Sequence, residues 1–447
     1  MNVAASKGTR TIEPLKGPFD LALRVPGSKS LSNRALILAA LADGESRLEG
    51  VLRSDDTDAT MEALRVLGAA VQQDDDTITI GGIERFQPDR GSIDMGAGGT
   101  PARFMLALAS FTEAPVVLDG TPRLRQRPMA GLIDMLGELG ASIEPLGRPG
   151  HLPVRLHPGD MTGGRLRLQP QASSQFISAI MLIAPRLKGG VELIFDGPPT
   201  SAPYIRLTIS ELKAWGIEVQ AIEDADRQLK SIKVHEAVIG PQDRRIPADA
   251  SSALYWAALA TICNRSRVQL KGLHPADGQP DHQAIAALGR IGLDLEVSED
   301  QVTCTNTGGH QGWGDLDASG MPDGAMALAI VAACASEPTR LTGLETLRVK
   351  ECDRVAALHD ELRKSGITVE IVGDDLVIRP PTGEQPTTTP SVIETYDDHR
   401  MAMAFAILGL RQGGLSIEDP DCVTKSYPGF WDDLARVEAS ASGGDTR

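Results

Sequence analysis

The amino-acid sequence predicts an α/β protein built from six related units shared between two domains. Three observations predict it. The first is a series of short apolar helices that open on Ser28-Lys29-Ser30, Gly99-Thr100-Pro101, Ser173-Ser174-Gln175, Ser251-Ser252, Pro322-Asp323-Gly324 and Asp397-Asp398-His399-Arg400, at intervals of 71, 74, 78, 71 and 75 residues. The second is an independent series, Gly68, Gly140, Gly216, Gly292 and Gly366, spaced by 72, 76, 76 and 74 residues, each closing an amphipathic segment ahead of a strand-like run. The third is size: a chain of 447 residues with 41% hydrophobic and 23% charged residues exceeds the roughly 250–300 residues at which single cores stop growing.

In chain order, each unit begins with a strand closed by a glycine, at Gly50, Gly120, Gly197, Gly272 and Gly343. An amphipathic helix follows and ends on the second glycine, whose tolerance of left-handed backbone suits a cap. A strand, a turn, the apolar helix and a further strand complete the unit. The sixth unit breaks off after Phe430 and Trp431. Units of about 74 residues are longer than the solenoid repeats of roughly 20–50 residues, so βαβ-type subdomains grouped around a few cores are expected. A helix that is apolar all round must be buried. The polar groups at the six starts therefore mark where buried helix ends meet a common site.

Two crossings between domains are expected near residues 24–27 and 245–249, each just ahead of a buried helix. One domain is then residues 1–26 with 247–447, and the other residues 27–246. The formal charge of −16 argues against nucleic acid or an anionic membrane as the partner, since both need a broad basic face. Cys263, Cys304, Cys334, Cys352 and Cys422 are scattered without a paired spacing, which predicts reduced thiols. Residues 1–10 lack the apolar core of a signal peptide and no run approaches a membrane span, so a soluble, cytoplasmic protein is expected.

Cations that cluster locally in an acidic chain are the candidates for chemistry. Val25-Pro26-Gly27-Ser28-Lys29-Ser30 leads into a helix carrying Asn33 and Arg34. Free N–H groups at a helix start, with Lys29 and Arg34 added, suit an anion, although Ser28 alone reads equally as an N-cap and the spacing is not that of a nucleotide P-loop. Arg123, Arg125 and Arg127 follow Gly120 closely; they either face an anion, which arginine meets bidentately, or line a solvated loop. Leu347-Arg348-Val349-Lys350-Glu351-Cys352-Asp353-Arg354 alternates charge, as a salt-bridged surface also does. Thr395-Tyr396-Asp397-Asp398-His399-Arg400 runs straight into an apolar helix, where unpartnered burial costs several kcal/mol; a wet cleft resolves that conflict. Asp323 repeats the situation, as a cap or as a site carboxylate. Ser173, Ser174 and Gln175 offer hydroxyl and amide groups to a polar ligand. No metal-ligand spacing, dinucleotide fingerprint or nucleophile motif stands out.

Taken together, the motifs closely resemble the enolpyruvyl transferase family, and within it the 5-enolpyruvylshikimate-3-phosphate synthases. The resemblance rests on Pro26-Gly27-Ser28-Lys29-Ser30-Leu31-Ser32-Asn33-Arg34, Ser54-Asp55-Asp56, residues 123–128, Ser173-Ser174-Gln175, residues 348–354, Asp398-His399-Arg400-Met401-Ala402-Met403 and Lys425, in that order. It implies two domains of three βαβαββ units each, with buried helices pointing at an interdomain cleft. It also implies transfer of the enolpyruvyl group of phosphoenolpyruvate to shikimate 3-phosphate, in aromatic amino acid biosynthesis, by a monomer without metal or organic cofactor. By the same resemblance, shikimate 3-phosphate meets Lys29, Ser30, Arg34, Ser173, Ser174, Gln175, Ser201, Tyr204, Asp323 and Lys350. Phosphoenolpyruvate meets Lys29, Gly99, Arg127, Gln175, Arg354, Arg400 and Lys425. Asp323 is expected as the base, Glu351 as the acid, and Lys29, His399 and Lys425 as auxiliary proton carriers.

The chain departs from the family pattern at Ala97, Gly98, Pro101 and Phe104 beside the phosphoenolpyruvate loop, and at Thr346. The loop changes are expected to alter the response to glyphosate. The alternative is the sister enzyme acting on UDP-N-acetylglucosamine, which usually carries a reactive cysteine ahead of an Arg-Pro pair. Residues 122–126, ahead of Arg127-Pro128, contain none.

Overall fold

The computed structural model describes residues 8–83, 85–170, 172–381 and 390–442. Contacts divide the chain into a continuous unit, Gly27–Pro247, and a discontinuous unit, Met1–Pro26 with Ala248–Arg447. Pro247 goes with the continuous unit, where its carbonyl accepts a 2.8 Å hydrogen bond from the Ser28 N–H.

In the continuous unit three four-stranded sheets share one plan. Ser92–Asp94 and Val116–Asp119 run parallel, joined through the buried helix Gly99–Ala109, while Val154–His157 lies antiparallel to Val116–Asp119 and forms a hairpin with Ser142–Pro145. Gly164–Leu168, Val191–Phe195, Leu229–Val234 and Val219–Glu223 repeat the order around the helix Ser174–Ile183. The third sheet, Asp243–Arg245, Glu45–Glu49, Thr77–Gly81 and Ala70–Asp74, takes its first strand from the far end of the unit. Parallel pairing needs a crossover connection, and the apolar helices Gly99–Ala109 and Ser174–Ile183 supply it in the first two sheets.

The discontinuous unit follows the same plan with borrowed strands. Asp20–Arg24 pairs parallel with Arg267–Lys271, and Gly314–Asp317 with Thr339–Thr342. Among the described residues the sixth repeat has only Ser391–Ile393 and Leu415–Glu418, parallel through the helix His399–Gln412; Thr9–Ile12 from the other end of the chain completes its sheet antiparallel to Leu415–Glu418. That completion was invisible in a local repeat pattern, because the strand is contributed from hundreds of residues away.

Each unit packs three buried helices against one another inside its own apolar core. In the continuous unit these are Lys29–Leu41, Gly99–Ala109 and Ser174–Ile183, and in the discontinuous unit Ala250–Ile262, Ala325–Ala333 and His399–Gln412. Every residue of Ala325–Ala333 is buried, and every residue of Ala250–Ile262 except Ser251. The five capping glycines 68, 140, 216, 292 and 366 all take positive φ, between 77° and 116°. No helix among the described residues is long and apolar enough to cross a membrane.

Two features lock the discontinuous unit. Trp256 Nε1 donates to the Tyr427 hydroxyl at 3.0 Å, which donates to Asp433 at 2.6 Å, and the Trp256 ring stacks on Phe430 at 5.2 Å. This anchors the short turn Pro420–Lys425 ahead of the helix Phe430–Ser442. Gly409 lets Ile12 close on the sixth helix, since a Cβ there would lie 2.8 Å from the Ile12 Cβ. Gly409→Ala is therefore expected to lower unfolding free energy by roughly 1–3 kcal/mol through overpacking, read as a shifted denaturant midpoint; an unchanged midpoint would mean that Thr9–Ile12 is not held against this helix.

Candidate active site

The candidate residues fall into two clusters, one in each unit. The six apolar helices leave free N–H donors at their starts, and side chains cap four of them. Ser28, Ser173, Asp249 and Asp398 accept from backbone N–H groups at four of these starts. The fourth helix begins at Ala250 under an Asp249 cap, one residue ahead of the expected Ser251-Ser252 start, which leaves the Ser251 side chain for other partners.

In the discontinuous unit, Arg354 is the hub. It is 1% exposed and donates from Nε to Asp398 Oδ2 at 2.7 Å, from Nη1 to Asp323 Oδ1 at 3.1 Å, and from Nη2 to Glu351 Oε2 at 3.0 Å. Arg400 Nη2 donates to the other oxygen of Asp323 at 3.1 Å. Lys350 Nζ is 3.8 Å from Asp323 Oδ1, and Lys425 Nζ is 3.3 Å from Glu351 Oε1. Burial alone would lower both arginines, but Asp398, Glu351 and Asp323 hold Arg354 well above the ordinary range and Asp323 does the same for Arg400. Both stay charged, so this is a permanently ionic pocket. His399, fully buried, places Nδ1 3.7 Å from Asp398 Oδ1. Arg348 turns the other way, to Asp353 and Asp374, so the alternating segment splits into an outer salt bridge and the inward Lys350, Glu351 and Arg354. Thr346 Oγ1 is buried without a hydrogen-bond partner among the described residues.

In the continuous unit the three arginines of residues 123–127 also separate. Arg125 pairs with half-buried Asp119 at 2.6 Å and Arg123 donates to Gln126 at 3.2 Å. Arg127 is 7% exposed, and its Nε has no hydrogen-bond partner among the described residues. Its guanidinium lies flat against Gly99: a Cβ built at Gly99 would fall 1.9 Å from Nη1 and 2.4 Å from Cζ. Burying such a charge is costly unless an anion completes it.

Around this guanidinium, Arg103 donates to the Gly99 carbonyl at 3.3 Å, the Pro128 carbonyl at 3.2 Å and the Gln175 side chain. It ties three of the candidate segments together. Lys29 Nζ lies 3.6 Å from buried Asp56 Oδ2. Arg34 donates to the Ser30 carbonyl (2.8 Å), Thr208 Oγ1 (2.9 Å) and the Tyr204 carbonyl (3.1 Å), and burial pulls its guanidinium down to about 10. Ser173 is bridged to Thr200, which brings the left-handed Ser201 (φ 53°) beside the Ser173-Ser174-Gln175 start.

A family model described as EPSP synthase (3-phosphoshikimate 1-carboxyvinyltransferase) matches residues 11–434. The chain belongs to the EPSP synthase family. Its relatives include the 3-phosphoshikimate 1-carboxyvinyltransferases of Methanoculleus marisnigri, 38% identical over 94% of this chain and 97% of that one, and of Pseudomonas syringae pv. tomato, 37% identical over 97% and 99%. Among solved structures it is similar to the EPSP synthase of Acinetobacter baumannii, with a TM-score of 0.80 and 27% identity over 96% of this chain and 98% of that one. The enolpyruvyl transferase NikO of Streptomyces tendae shares the fold, with a TM-score of 0.71 at 16% identity over 97% and 98%. The fold is thus the α/β enolpyruvyl transferase fold. Membership of the EPSP synthase family supports the shikimate 3-phosphate reading over the UDP-N-acetylglucosamine alternative.

Proposed function

We propose that this chain transfers the enolpyruvyl (carboxyvinyl) group of phosphoenolpyruvate to the 5-hydroxyl of shikimate 3-phosphate with release of phosphate. The observation that carries the reading is the Asp323–Arg354–Glu351 cluster, a carboxylate pair held by fixed cations at buried helix starts in a member of this family. Asp323 accepts the hydroxyl proton as the ring oxygen bonds to C2 of phosphoenolpyruvate, and C3 takes a proton from the Glu351–Lys425 couple. The tetrahedral intermediate then returns the C3 proton and breaks its C2–O bond to phosphate, restoring the double bond. Positioned acids and bases of this kind contribute about 10²–10⁴-fold each.

Lys29, Arg127, Arg354, Arg400 and Lys425 spread positive charge around the carboxylate and phosphate of phosphoenolpyruvate, with Gly99 and Gln175 completing its site. Ser30, Ser173, Ser174, Gln175, Ser201, Tyr204 and Lys350 meet shikimate 3-phosphate. Arg34 meets it too, while also bonding the carbonyls of Ser30 and Tyr204. His399 acts with Lys29 and Lys425 as an auxiliary proton carrier or charge stabiliser. The chain is read as a cytoplasmic monomer.

The decisive experiment is phosphate release with phosphoenolpyruvate and either shikimate 3-phosphate or UDP-N-acetylglucosamine. Release with the first acceptor alone is expected. Release with UDP-N-acetylglucosamine instead would replace this reading by the alternative.

A further inference from the structure

The segment that leads into the sixth buried helix is tied to a carboxylate that the reaction above does not use. Glu361 lies in the amphipathic helix Arg354–Lys364 and is 0% exposed. One of its oxygens accepts from the Tyr396 hydroxyl at 2.7 Å and from exposed Lys364 at 2.7 Å, and the other accepts from the Glu394 N–H at 3.2 Å. These bonds secure an unusual stretch of backbone. Tyr396 and Asp397 both take positive φ, 55° and 59°, and the Asp398 N–H closes the turn onto the Thr395 carbonyl at 2.9 Å. Two left-handed residues at the centre of such a turn ordinarily call for glycine, asparagine or aspartate. A bulky residue such as Tyr396 holds that conformation only where its surroundings over-determine it. Glu361 does so by bonding both the chain just ahead of the turn and the side chain of its first left-handed residue.

Directly beyond the turn, Asp398 commits both of its oxygens. Oδ1 accepts from the Arg400 N–H at 2.9 Å and from Arg354 Nη2 at 3.2 Å, and Oδ2 accepts from Arg354 Nε at 2.7 Å. Its grip on Arg354 therefore depends on the path that the chain takes through Tyr396 and Asp397. We propose that Glu361 is a positioning residue of the candidate active site, which clamps the Tyr396–Asp397 turn and so fixes Asp398 and, through it, Arg354 and the start of the helix that carries Arg400. A carboxylate suits this task because its two oxygens hold two points of the chain at once, by hydrogen bonds that charge strengthens. That the two arginines meet phosphoenolpyruvate rests on the proposed function; the clamp itself does not.

The test compares Glu361→Gln, which keeps the shape but removes the charge of the acceptor, with Tyr396→Phe, which removes only a hydroxyl from a half-buried ring. The first readout is hydrogen exchange of the Arg354 Nε–H in the folded full chain, followed by nitrogen-15 NMR and assigned by its loss in Arg354→Lys. Both variants are expected to speed that exchange about 10-fold, the size of a lost hydrogen bond to a charged group. The double variant should add little, because both changes weaken one bond. In phosphate release, the KM for phosphoenolpyruvate should rise about 3- to 10-fold while the KM for shikimate 3-phosphate holds. Wild-type exchange or a wild-type KM for phosphoenolpyruvate, even with a lowered denaturant midpoint, would make Glu361 merely structural and overturn the proposal, as would full additivity in the double variant. Should Glu361→Gln fail to fold, Tyr396→Phe decides alone by the same two readouts. Exchange that responds in a chain releasing no phosphate would keep the clamp and remove the transfer reaction instead.

Discussion

Replacing Asp323 by Asn is expected to lower turnover by about 10²–10⁴-fold while phosphoenolpyruvate affinity changes little. Asp323 joins Arg354 at 3.1 Å through one oxygen and Arg400 at 3.1 Å through the other. Asn keeps one acceptor and the same shape but cannot accept a proton at neutral pH. Arg354 retains Asp398 and Glu351, so the cluster remains held and the loss falls on the chemical step. Single-turnover phosphate release beside equilibrium binding of phosphoenolpyruvate separates the two. Near-normal turnover would remove Asp323 as the base.

Gly99→Ala should act on binding instead. A methyl group at 99 cannot coexist with the Arg127 guanidinium, whose Nη1 would lie 1.9 Å away, and backbone, being the start of a buried helix, cannot yield. Arg127 must therefore swing out of its cradle, losing charge-assisted hydrogen bonds to the anion that typically contribute about 1.5–3 kcal/mol. The KM for phosphoenolpyruvate is expected to rise about 10- to 100-fold, with Arg127→Ala giving an effect of similar size and the double variant adding little, because both remove one contact. Full additivity in that cycle would show that Gly99 and Arg127 act separately.

The helix starts were legible because their signal is local. A run such as residues 325–333 has no polar face, so burial follows from the residues alone, and Ser28, Ser173 and Asp398 are the residue types that cap helices. Family motifs then singled out Asp323, Lys350, Glu351, Arg354, Arg400 and Lys425, which the fold gathers into one ionic cluster. Residues whose importance depends on a distant partner were not legible. Arg103 reads as one basic residue in an apolar helix, yet it joins Gly99, Pro128 and Gln175.

By itself, then, the sequence determined the α/β class, the sixfold plan, the buried helices and the chemical types at their starts, since periodicity, capping and burial depend on neighbours along the chain. Tertiary structure alone decided which charges meet. It separated Arg127 from Arg123 and Arg125 and completed the sixth sheet with Thr9–Ile12. The physical reason is that an ion pair or a sheet edge is chosen by packing between segments remote in sequence, and no local pattern encodes that distance.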